Sequence, residues 1–356
     1  MNDGLSSIHR SEIPAYPCLD PIEEIPMSSI QTPIHSGFSM ASTAVEVLAG
    51  IDLTGKTAIV TGGYSGIGTE TTRALRAAGA RVIVPARDLA KARKALEGID
   101  VEIEPMDLAD PASVDAFAEH FLTSSTPLHI LINSAGIMAM PLTRDSRGYE
   151  MQFATNHLGH FQLTARLWPA LKRANGARVV SVSSRGHRFA GVDFADPNFE
   201  RRDYDPWIAY GQSKTANVLF ALGVDKRGET DGIRAFALHP GAIITDLVRH
   251  MSQDDLRALG AIDEEGRPVV DLARGFKSVP QGAATSVWCA TSPQLDGIGG
   301  VYCEDVDVSP VLVEADNTPG HVSSDVGVRP WAIDPVAREH LWTLSEKLTG
   351  VSLASR

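Results

Sequence analysis

The chain of 356 residues is 43% apolar and 21% charged, enough to bury a full hydrophobic core and ordinary for a soluble globular protein. A formal net charge of -12 argues against nucleic-acid and anionic-membrane partners, since either calls for a basic face. The cysteines, Cys18, Cys289 and Cys303, are odd in number and lack C-x-x-C spacing, which points away from a disulfide framework or a zinc site.

No apolar run approaches the roughly 18 residues of a membrane span. The N-terminal stretch also lacks the basic and apolar regions of a secretory signal, so a cytoplasmic location is expected. Residues 1–44 are rich in Pro, Ser and Ile without periodicity and read as an N-terminal extension, partly irregular. Residues 45–356 then alternate short apolar runs with amphipathic stretches. The runs TAIVTG (57–62), RVIVPA (81–86), VEIEPM (101–106), HILINSAG (129–136), ARVVSVSS (177–184), IRAFALHPG (233–241) and GGVYC (299–303) predict seven strands. Between them, stretches such as GIGTETTRALRAAG and GYEMQFATNHLGHFQLTARLWPALKR predict helices. The alternation predicts a doubly wound α/β fold, a seven-stranded parallel sheet with helices on both faces, in one domain. Cys289 and Cys303 fall within it as small core residues. Two segments, 185–209 and 242–280, break the rhythm at carboxyl ends of strands, where such folds place ligands, and are the expected substrate loops.

TGGYSGIG (61–68) joins the first strand to a helix. Gly62 permits a tight turn, Gly66 lets the backbone approach a pyrophosphate, and Gly68 lets helix pack on sheet, while the helix N-terminus offers N–H groups to an anion. A plain strand-to-helix turn would read similarly. The second strand ends in Ala86 where an acid would bind a ribose 2'-hydroxyl, and Arg87 follows, suited to a 2'-phosphate. NADP is therefore the expected cofactor, with NAD left open by Asp88. Further on, AYGQSKTANVLFAL carries Tyr210 and Lys214 at i and i+4. One helix face brings ammonium to phenol, and the ammonium is expected to lower the phenol pKa toward acid/base use at a carbonyl oxygen.

In this order the motifs resemble the short-chain dehydrogenase/reductase superfamily, most closely its retinol-dehydrogenase-like branch, over roughly residues 45–345. The resemblance implies a Rossmann-type NAD(P)-binding domain. It places Gly62, Tyr64, Ser65, Gly66, Ile67 and Gly68 at the phosphates, Arg87 at the adenosine ribose, and Asp107 and Leu108 at the adenine. Asn133, Ala135 and Gly136 of NSAG follow, with Ser134 as a departure from the N-N-A-G pattern. Pro240, Gly241, Ile243 and Thr245 belong beside the nicotinamide, and Tyr210 and Lys214 also touch the cofactor.

The implied catalytic set is Asn156, holding a relay water behind Lys214; Ser184, with Ser183 the less favoured choice; Tyr210 as acid/base; and Lys214. His157, His160 and His187 lack the companions of a metal site, and none is expected. The implied activity interconverts a ketone or aldehyde and the matching alcohol with NADP(H). Met138, Met140, Phe189, Trp207 and Leu247 suggest a hydrophobic small-molecule substrate. Carbon-carbon double-bond reduction and a non-catalytic cofactor sensor use the same parts. A homo-oligomer is compatible with the resemblance, through the helices of Asn156 and Tyr210, unless the N-terminal extension covers them.

Overall fold

Strand β1 (Thr57–Thr61) pairs in parallel with β2 (Arg81–Ala86) on one side and with β4 (Ile130–Asn133) on the other. In a computed structural model describing residues 31–312 and 326–353, these strands are the middle of one sheet ordered β3-β2-β1-β4-β5-β6-β7-β8. The rest are β3 (Glu102–Pro105), β5 (Ala177–Val182), β6 (Ile233–His239), β7 (Val301–Glu304) and β8 (Asp307–Val308). The order reverses between β1 and β4, which opens a crevice at the carboxyl ends of those strands.

Seven parallel strands match the sequence expectation, and β8 is an addition. It is a two-residue antiparallel edge reached through Asp305 and Val306, at φ 52 and 65. Such hairpin turns ordinarily advertise themselves as Asn-Gly or Asp-Gly, and a β-branched Val in this conformation gives no sequence signal. Asp307 then accepts N–H bonds from Ile34 (2.9 Å) and Ser36 (3.3 Å), while Gln31 bonds the backbone of Tyr302 and Ser309. The described part of the N-terminal extension is thereby tied to the sheet edge. Residues 1–30, with Cys18, lie outside the described residues.

Strand side chains alternate between two cores, as the period of two requires. Ala58, Val60, Ile130 and Ile132 face α1 (Ala44–Val47), α2 (Gly66–Ala77) and α9 (Val279–Thr291), with Cys289 and Cys303 buried among them. Ile59, Leu131 and Val179 face α4 (Pro111–Thr123), α6 (Gly159–Ala174), α7 (Pro206–Gly228) and α10 (Pro335–Thr349). The short helices α3 (Leu89–Ala95) and α8 (Gln253–Ala258) lie in connections. No helix among the described residues is long and apolar enough to cross a membrane.

The single helix predicted around NHLGHF is divided. A short turn α5 (Met151–Phe153) runs into a π-helical turn, Ala154–Leu158, before α6 begins. Gly159 sits there because a Cβ would meet the carbonyl oxygen of Leu108 at 2.3 Å. Helix α7 starts cleanly, with Asp205 accepting from Trp207 and Ile208 N–H groups and Pro206 in its first turn. It is buried almost throughout, because α10 closes its outer face. There Trp342 stacks on Phe220, meets Phe161 edge-on at 5.0 Å, and carries the Arg227 guanidinium 4.0 Å from its ring. Gly223 leaves room for it, since a Cβ there would lie 2.8 Å from the indole.

Trp342→Ala should therefore cost about 3–5 kcal/mol of stability, read as a lower midpoint in urea unfolding. An unchanged midpoint would mean that α10 does not seal this core.

Candidate active site

The phosphate-loop candidates converge as the glycine spacing requires. A Cβ on Gly62 would come within 2.9 Å of the Ala135 backbone, and one on Gly68 within 2.2 Å of the Gly62 carbonyl. Gly66 has φ +53 and lies against Thr245 at 2.9 Å by the same measure. Ile67 and Ile243 meet over Gly282, and Gly241 adopts φ +109 against the Lys277 stem. Thus NSAG, the HPG segment and TGGYSGIG are brought together from three strand ends. Tyr64 packs on the adjoining core. Ser65 occupies the α2 N-cap position without a side-chain cap, so the first N–H groups of α2 are open to an anion. Leu108 is buried against Gly159, while Asp107 is spent locally, accepting from Ala109 N–H at 3.0 Å.

At the end of β2, Ala86 is buried and Arg87 is exposed, with no hydrogen bond or ion pair among the described residues. Asp88 caps α3, accepting from Lys91 N–H at 2.9 Å. Asp88 is thus engaged with its own helix, whereas Arg87 is not engaged among the described residues. Lys91 Nζ bridges to Asp246 at 2.7 Å, beside Ser65 Oγ, a contact across the phosphate loop that no sequence motif announced.

Tyr210 and Lys214 share the buried face of α7 that meets the ends of β4 and β5. Lys214 Nζ donates to the Val182 carbonyl at 3.0 Å, and a Cβ on Gly136 would sit 3.5 Å from it and 3.2 Å from Asn156 Oδ1. Asn156 is anchored on all arms: Ile137 N–H donates to Oδ1 at 2.9 Å, and Nδ2 donates to Ile137 O and Ser213 Oγ at 3.0 and 2.9 Å. The two serines separate by role. Ser183 Oγ donates to the Lys214 carbonyl, a helix-to-strand tie, whereas Ser184 stands beside the phenol and accepts from Gly186 N–H. Gly186 is bare because a Cβ would press into the Tyr210 ring at 2.6 Å.

The model of the short chain dehydrogenase family matches residues 56–256. A Streptomyces lividans protein called a probable oxidoreductase is 47% identical over 299 residues, 82% of this chain and 97% of that one. Human retinol dehydrogenase 12 is 37% identical, covering 85% and 88%. A solved NADP active-site complex of Pseudomonas aeruginosa RhlG is 25% identical with a TM-score of 0.53, covering 70% of this chain and 94% of that one. The chain belongs to the short-chain dehydrogenase/reductase superfamily. It is an oxidoreductase of that family, in the retinol-dehydrogenase-like branch.

The shift at Tyr210 runs opposite to the lowering expected from the i, i+4 spacing. Burial pushes the Tyr210 phenol up to about 12, offset in part by Ser184, and Lys214, 5.6 Å from the ring centroid, does not pull it down. Burial also lowers Lys214 to about 8. Desolvation outweighs the attraction expected from i, i+4 spacing, because both groups lie inside rather than on the helix surface. The three histidines weighed against a metal site have other partners. His157 reaches Ser345 Oγ, His187 lies on the Ser184 carbonyl, and His160 bridges Thr61 Oγ1 and the Asn156 carbonyl. Of the expected substrate-side residues, Phe189 and Trp207 stand edge to face, and Trp207 lies edge-on to Tyr210 at 6.4 Å. Met138 is buried, and the Met140 carbonyl accepts from Tyr204 OH. Leu247 is half-buried in the loop beyond Thr245.

A lysine held at about 8 when folded and near its ordinary value when unfolded penalises the fold below pH 8, and that penalty fades as pH rises toward 10.5. Lys214→Met should accordingly stabilise the cofactor-free protein at pH 7 by about 1–3 kcal/mol, with the gain shrinking by pH 9.5. Calorimetry of both proteins at the two pH values checks this, and a destabilised variant at pH 7 would contradict it.

Proposed function

We propose that the protein transfers hydride between NADP(H) and a ketone or aldehyde, or the matching alcohol, on a hydrophobic substrate, within one catalytic domain spanning 45–356. The observation that carries this reading is the convergence of Tyr210, Ser184 and Lys214 at the carboxyl ends of the strands, beside an uncapped α2 N-terminus. The residues fit a dinucleotide: open N–H groups on α2 suit a pyrophosphate, and the unpaired Arg87 suits a 2'-phosphate better than a bare hydroxyl. NAD is the alternative cofactor. The NADP complex of the Pseudomonas relative supports the choice by analogy.

Bound NADPH would supply the hydride. Tyr210, with its pKa near 12, keeps its proton at neutral pH, which suits donation to a developing alkoxide. Ser184 would hold the same oxygen. Lys214, mostly charged at neutral pH, would anchor the nicotinamide ribose. Asn156 fixes the 137 segment against α7 and would hold the water that returns a proton to Lys214. Phe189 and Trp207, the latter 37% exposed, form an apolar approach to Tyr210 that favours an apolar substrate body.

A panel of ketones, aldehydes and enones with NADPH or NADH, followed by the absorbance of the reduced cofactor and product analysis, tests the reading. Tyr210→Phe should lose at least about 100-fold in turnover while still binding NADPH by fluorescence. Arg87→Ala should raise KM for NADPH and leave that for NADH unchanged. Reduction confined to carbon-carbon bonds, or equal use of NADH by the wild type, would refute the respective claims.

A further inference from the structure

His160 is 1% exposed and hydrogen-bonded at both ring nitrogens, Nδ1 to the Asn156 carbonyl at 2.9 Å and Nε2 to Thr61 Oγ1 at 2.8 Å. The tautomer follows from counting donors. A carbonyl can only accept, so Nδ1 carries hydrogen. Thr61 Oγ1 already accepts from the N–H groups of Ser134 (2.9 Å) and Ala135 (3.1 Å), so its own hydrogen goes to Nε2, much closer than the alternative acceptor Ile132 O at 3.4 Å. The ring is neutral, since burial lowers it to about 4.

The partners give this bond its meaning. Both amide hydrogens of Asn156 are donated, to Ile137 O and Ser213 Oγ, and Oδ1 accepts from Ile137 N–H. The Asn156 side chain is a structural tie, and its main-chain oxygen is what remains to hold a water. That oxygen lies in the π-helical turn Ala154–Leu158, where the i→i+4 ladder of the flanking helix is interrupted. We infer that His160 is a positioning residue for the proton relay: its Nδ1–H aims the Asn156 carbonyl, and its Nε2 locks that aim to the ends of β1 and β4 through Thr61. The inference rests on the hydride-transfer reading above, and its claim about the tautomer does not.

Two substitutions separate the two bonds. In His160→Asn the amide nitrogen can occupy the Nδ1 position and donate to Asn156. In His160→Gln the amide oxygen can take the Nε2 position and accept from Thr61 Oγ1, which leaves the carbonyl unaimed. The expected result is that His160→Gln loses about tenfold or more in kcat relative to His160→Asn, about 1.4 kcal/mol in barrier, with KM for NADPH and melting temperature alike in the two. Equal kcat in both variants, or losses that simply follow melting temperature, would overturn the inference. Should either variant fail to fold, the imidazole 15N spectrum of the wild type decides. An Nδ1–H neutral signal at pH 7 supports the assignment, and an Nε2–H or imidazolium signal removes it. A wild type that reduces no carbonyl compound would count against the functional reading alone, and the spectrum would still judge the histidine.

Discussion

Desolvation of two polar side chains, Tyr210 and Lys214, is the constraint around which the candidate site is built. An ammonium excluded from water, with one protein hydrogen bond to the Val182 carbonyl, is a costly group to fold around. The chain tolerates it because α7 is held on nearly every side: by the sheet beneath, by α10 outside, and by residues 185–205 over its N-terminal half. Function and stability pull in opposite directions at Lys214, and the aromatic packing of Trp342 on Phe220 lies on the stabilising side of that balance.

The 185–209 segment contributes more than a substrate wall. Thr215 Oγ1 donates to the carbonyls of His187 and Ala190, and Gln212 bonds Asp193 N–H and the Pro197 carbonyl. Gly186 and Gly211 allow the segment to lie directly on α7, for Cβ atoms there would meet the Tyr210 ring and the Gly186 carbonyl. The same contacts that bury the phenol therefore place Ser184 beside it. Burial, pKa and geometry at the site have one structural cause.

Much of this was legible in the sequence, and the rest was hidden for identifiable reasons. The seven parallel strands were readable because apolar runs of four to seven residues alternate with amphipathic helical stretches, and the ordered motifs pointed to Tyr210, Lys214, Asn156 and Ser184, which the fold brings near one another. The β8 hairpin escaped because Asp305-Val306 is not a turn sequence of ordinary kind. The π-helical turn escaped because hydrophobic periodicity does not register one inserted residue, and the approach of Gly159 to Leu108 beside it is a contact between distant segments. The sign of the Tyr210 shift was misread for the same reason. Spacing along a helix reports which residues are neighbours, whereas only packing reports how little water reaches them.

The 242–280 segment shows how its two ends are held by forces of different kind. Its base is fixed by backbone pairing of Ala242 with Phe276, by Lys277 buried against Gly241 and paired with Asp305, and by an apolar cluster of Leu256, Ala261 and Ile262. Where it crosses the phosphate loop, the tie is the Lys91–Asp246 pair, with both side chains more than half exposed. Exposed pairs of this sort contribute about 0–1 kcal/mol and weaken with salt.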